Sequence, residues 1–113
     1  MPSVTIYHNP RCSKSRQTLK LLEERGIEPE IVLYLETPPD EETLAALVEQ
    51  LGIEPSDLIR RKEYRELGLD DTNDADEVIR RMAKYPQIIE RPIVVAGSRA
   101  RLGRPPESVL EIL

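Results

Sequence analysis

The stretch from Ser3 to Glu36, SVTIYHNPRCSKSRQTLKLLEERGIEPEIVLYLE, decides the fold class, because its apolar periodicity changes twice. In "SVTIYH" the β-branched Val4 and Ile6 alternate on one face, the pattern of a strand with one side buried. "CSKSRQTLKLLEERG" shifts to helical spacing, with Leu19 and Leu22 three apart and Ser15 one turn earlier. Gly26 then falls where helices commonly end in a left-handed residue. "EPEIVLYLE" returns to a strand pattern, nearly continuous in apolar side chains at Ile31, Val32, Leu33 and Leu35. Strand, helix and strand in that order allow a right-handed crossover between parallel neighbours.

Downstream, "TPPDEETLAALVEQLG" places acids in a first helical turn, then Leu44, Leu47, Val48 and Leu51 at helical spacing, and ends at Gly52. "EPSDLIRRKEYRELGL" predicts one short helix from near Ser56 to a break at Gly68. "DDTNDADEVIRRMAKYP" predicts another, capped at Asn73 or Asp74, with Val78, Ile79, Met82 and Ala83 inward and Pro86 as its stop. "RPIVVAGSRARLGRP" predicts a hairpin of Ile93 to Val95, a Gly97-Ser98 turn and a return strand through Ala100 and Leu102. "PPESVLEIL" closes as a helix with Pro in its first turn and Val109, Leu110, Ile112 and Leu113 apolar. The order is that of an α/β fold, a thioredoxin-like (glutaredoxin-like) mixed sheet with a helical insertion between its halves. At 113 residues the chain is expected to form a single domain, 1–113.

The formal net charge of −5 argues against general affinity for nucleic acid or anionic membrane, both of which need a surplus of positive surface. No apolar run approaches the roughly 20 residues of a spanning helix, and "MPSVTIYHNP" lacks the features of a signal peptide. One cysteine forms no intramolecular disulfide. These readings together predict a cytoplasmic protein. The acidic run "DDTNDADE" lacks the spacing of a calcium loop and is read as a loop and helix cap. A single His and a single Cys make a zinc site untenable, and no bound cofactor is expected. Tyr64 and Tyr85 are read as packing residues.

That one His and one Cys, His8 and Cys12, share the loop "HNPRCSKSR". Cys12 stands at the start of the first helix, where unpaired backbone N–H groups and the macrodipole favour an anion. Arg11, Lys14 and Arg16 add positive charge, the environment that lowers a thiol pKa, so Cys12 is predicted to be a nucleophile. The alternative, an inert structural cysteine, normally sits among apolar neighbours. "CSKS" has the spacing of a C-x-x-C redox motif with Ser15 in place of the second thiol. Ser15 resolves no mixed disulfide, so a thiol from outside the chain, such as glutathione or a partner's cysteine, is required. His8, at the strand end, is either a helper of the thiolate or simply a polar terminus. Asn9 and Pro10 are read as shaping the loop.

"YHNPRCSKSRQTL", "DLIRRKEYRELGL" and "ERPIVVAGSRARLGRPPESVLEIL" resemble, in order and over nearly the whole chain, the arsenate reductases that use glutathione and glutaredoxin. The chain is most similar to a short branch of that family. The resemblance implies a thioredoxin-like fold in which Arg60, Arg91 and Arg104 converge on Cys12 as substrate-binding residues. It implies arsenate or a similar oxyanion as substrate, glutathione as cosubstrate and glutaredoxin as partner. It also places Pro92 where thioredoxin-like folds carry a cis-proline facing the reactive cysteine, with Ser15 and Arg16 in support. The chemistry agrees, since planar guanidinium groups bind tetrahedral oxyanions bidentately.

Three other readings stay open at this level. A thiol oxidoreductase of the same family could act on another substrate. The family also resembles Spx-type regulators that bind RNA polymerase, although these carry the second cysteine that Ser15 replaces. The third is a thioredoxin-like binding module without catalysis.

Overall fold

A computed structural model of the chain describes residues 3–113. Two compact units emerge, one comprising the N-terminal segment up to Thr37 together with Arg91–Leu113, the other Pro38–Glu90. The first contains β1 (Val4–His8), α1 (Ser13–Glu24), β2 (Glu30–Leu33), β3 (Ile93–Ala96), β4 (Arg99–Leu102) and a 3₁₀ helix, Pro106–Ile112. Its sheet has the order β2-β1-β3-β4. β1 and β2 are parallel, as the α1 crossover requires, while β1 with β3 and β3 with β4 are antiparallel. This is the mixed sheet of a thioredoxin-like fold.

Register follows from what must be buried. Ile6 pairs with Val94, and both are fully buried with Leu22, Ala96, Val109 and Ile112 in one apolar cluster. The inward line of α1 is Ser15, Thr18 and Leu22, with Leu19 only partly buried against the cluster. The hairpin closes from Ala96 to Arg99 through Gly97 at φ 64°, a left-handed value that glycine adopts without steric cost.

Two expectations for this unit change. The strand read from "EPEIVLYLE" is shorter than that run: β2 ends at Leu33, lies at the sheet edge, and leaves Ile31 and Leu35 47% and 43% exposed. Leu35 lies beyond the strand, and the neighbouring Tyr34 turns inward instead. The C-terminal segment is 3₁₀ rather than α. Pro106, Val109 and Ile112 are buried at intervals of three, which matches three residues per turn.

The second unit contains α2 (Glu41–Leu51), α3 (Arg61–Glu66) and α4 (Ala75–Lys84), with 3₁₀ turns at Pro55–Leu58 and Pro86–Ile88. Asp40 caps α2 by accepting the Thr43 N–H at 2.8 Å, and Asp74 caps α4 by accepting from Asp76 and Glu77. Leu44, Leu47 and Val48 on α2 and Val78 and Met82 on α4 are buried, while Leu51, Ile79 and Ala83 are only partly so. The helix predicted from Ser56 to Gly68 is in fact two pieces. Ile59 leaves helical geometry to form a bridge with Ile89, the Arg60 N–H donates to the Ile88 carbonyl, and the Glu90 N–H donates to the Leu58 carbonyl, both at 2.7 Å. Backbone pairing of that kind competes directly with helix continuation at Ile59 and Arg60. Tyr64 is buried, and its hydroxyl donates to the Asp70 carbonyl at 2.5 Å, in keeping with a packing role.

Candidate active site

Cys12 is the N-cap residue of α1, in extended geometry at φ −94° and ψ 123°. The loop that delivers it is tightly bonded. The Cys12 N–H donates to the Asn9 carbonyl at 3.0 Å, and the Arg11 N–H donates to Asn9 Oδ1 at 3.0 Å. Arg16 Nη1 reaches back from the first turn of α1 to the Pro10 carbonyl at 3.0 Å. The sulfur therefore stands where a capping side-chain oxygen would stand.

Partial burial pushes the Cys12 thiol pKa up, but opposing contacts outweigh it and the net shift is downward. These are the Ser15 backbone N–H, the Arg91 guanidinium acting both as donor and as charge, and the Lys14 N–H. Lys14 and Ser15 are the second and third residues of α1, whose N–H groups have no helical acceptor. Arg104 completes the surroundings, with Nη2 3.7 Å from the sulfur. Its Nε donates to the Arg91 carbonyl at 2.8 Å, and the Gly103 N–H donates to the Pro92 carbonyl at 3.0 Å. These two bonds tie both arginines into one frame. The Arg91–Pro92 peptide is cis, as the resemblance implied, and so is Arg104–Pro105.

His8 and Ser15 are both buried, and their side chains meet at 2.6 Å between Nδ1 and Oγ. Ser15 Oγ also accepts the Asn9 N–H at 3.0 Å. Burial, and secondarily the positive charge of Arg16, lowers the His8 pKa, so the ring is neutral at neutral pH. The direction of the Nδ1–Oγ bond follows the ring tautomer, since a neutral imidazole can accept from the Ser15 hydroxyl or donate to it. His8 thus bears on the loop through Ser15, which fixes the backbone of Asn9.

Cys12, His8, Ser15, Arg16, Arg91, Pro92 and Arg104 all belong to the first unit. Arg60 belongs to the second, where Nε meets Glu63 Oε2 at 2.8 Å and Nη1 meets Glu90 Oε1 at 3.3 Å. Glu63, three residues along, has a readable helical spacing. Glu90, thirty residues away, gave no sequence signal. Gly103 was also missed: a Cβ there would meet Thr18 Oγ1 and, at 2.7 Å, Pro92 Cγ. Among the described residues no three His, Cys, Asp or Glu side chains gather to hold a metal ion, and no helix is long and apolar enough to cross a membrane.

A family model described as the ArsC family matches residues 7–112. The chain belongs to the ArsC family. It is 57% identical to the uncharacterized protein YfgD of Escherichia coli (strain K12), over 97% of this chain and 96% of that one. An arsenate reductase of Neisseria meningitidis is 49% identical over the full length of both chains. The solved structure of an arsenate reductase from Vibrio cholerae superimposes with a TM-score of 0.93 at 53% identity, covering 99% of this chain and 98% of that one.

Proposed function

We propose that this protein is a cytoplasmic arsenate reductase that draws its electrons from glutathione and glutaredoxin. The observation that carries the reading is Cys12 at the N-terminus of α1, its thiol acidified and flanked by the guanidinium groups of Arg91 and Arg104. The names of its full-length ArsC relatives support the same substrate.

Cys12 thiolate attacks arsenic and displaces hydroxide, which leaves as water after taking a proton. A covalent Cys12–arsenate adduct results, with arsenic still in the +5 state. Glutathione then attacks. It displaces a second hydroxide to form an As–S bond, and a glutaredoxin thiolate then attacks that glutathione sulfur; the electron pair of the As–S bond stays on arsenic, leaving arsenic(III) on Cys12 and a glutathione–glutaredoxin mixed disulfide. Overall, arsenate and two thiols become arsenite, one disulfide and one water, and Cys12 is regenerated when arsenite departs.

Arg91 and Arg104 hold the oxyanion and offset its developing charge, a task worth a few kcal/mol per well-placed donor. Arg60 is assigned to the same oxyanion by resemblance. Ser15, with His8 and Arg16, positions the loop, and Pro92 positions Arg91. The test is turnover of arsenate with glutathione and glutaredoxin present. Cys12→Ser is expected to abolish it, and turnover that persisted in that variant would refute the assignment.

A further inference from the structure

A chain with one cysteine must bring its second thiol to Cys12 from solution, and a thiol that arrives needs somewhere to rest. A groove of about 260 Å³ in the first unit borders the Cys12 loop. Asn9, Pro10 and Arg11 line it from the loop, and Leu33, Leu35 and Glu36 from the end of β2 and the turn that follows. Cys12 follows Arg11 directly and closes the same turn through its bond to Asn9.

We propose that this groove is the glutathione seat, with Arg11 and Glu36 as its charged contacts and Leu33, Leu35 and Pro10 as its apolar wall. The assignment rests on the thiol-dependent reading above. Three features favour this small tripeptide. Glutathione carries two carboxylates and one ammonium, and the groove offers one guanidinium and one carboxylate. Neither Arg11 nor Glu36 forms an ion pair among the described residues, so both are available to a ligand. Leu35 is 43% exposed beside them, an apolar surface that nothing in the described chain covers.

The seat is tested with S-methylglutathione, which keeps every charge of glutathione but has no free thiol, titrated into the intact protein and followed by backbone NMR. Shifts are expected at Arg11, Leu33, Leu35 and Glu36, and the variants Arg11→Ala and Glu36→Gln are expected to weaken binding about tenfold each. In the coupled assay the same variants raise half-saturation by glutathione about tenfold while half-saturation by arsenate stays within about twofold. The titration decides the groove even if arsenate proves not to be the substrate. Shifts confined elsewhere, shifts produced by glutaredoxin but not by S-methylglutathione, or glutathione saturation unchanged in both variants would overturn the proposal.

Discussion

At Cys12 a sulfur replaces the oxygen that normally caps a helix, and the consequence is a change of acidity. A capping hydroxyl stays neutral, whereas a thiol given the same N–H donors, with Arg91 added, loses its proton more readily. Only the thiolate reacts with alkylating agents, so the rate of Cys12 alkylation by iodoacetamide should rise through an inflection below that of an unperturbed cysteine. Arg91 acts to lower the pKa, hence Arg91→Ala should move the inflection upward and cut the rate at neutral pH several-fold. An inflection that stayed in place would remove Arg91 from the thiolate's surroundings. Arg104, more exposed and 3.7 Å away, is expected to matter more to the oxyanion than to the thiol.

At the level of elements, the segment after β4 meets α1 at one crowded point. Gly103 lies against Thr18 and Pro92 with no room for a methyl group, so Gly103→Ala should destabilise the fold by about 1–3 kcal/mol, read as a lowered urea midpoint. A midpoint that did not move would show that Thr18 gives way freely. No local signal in "RLGRP" distinguishes this glycine from an ordinary turn residue, because its constraint comes from α1 and from the start of β3. The same limit explains the other departures. The order of strands and helices, the Gly97-Ser98 hairpin and the cysteine at a helix start were legible because each rests on short-range periodicity or turn chemistry. The break at Ile59 and Arg60 was not, since a helical pattern there yields to backbone pairing with Ile88, Ile89 and Glu90. The apolar run from Ile31 to Leu35 reveals neither that its strand ends at Leu33 nor that it lies at an edge. Of the site, the nucleophile and its loop could be read from residues alone, whereas the arginines needed a family resemblance to stand out from an arginine-rich sequence.

On the scale of the whole molecule, the acidity of Cys12 and the helical insertion are separable by experiment. The groups that acidify Cys12, namely Ser15, Arg91 and Lys14, all lie in the first unit, while Met82 is fully buried in the second. Met82→Ala should cost about 2–5 kcal/mol of stability and yet leave the pH profile of Cys12 alkylation unchanged at temperatures where the protein stays folded. A displaced profile would mean that acidification depends on the insertion. One further consequence follows from Ser15, buried and held by His8 and Asn9. Loops with two thiols alternate between two lengths, because a sulfur–sulfur bond draws their ends together. The Ser15 hydroxyl makes no such bond, so every incoming reactant meets Cys12 on a loop of the same shape. With a single cysteine the chain forms no internal disulfide, so in the thiol-dependent cycle proposed above the oxidised sulfurs leave with the external thiols.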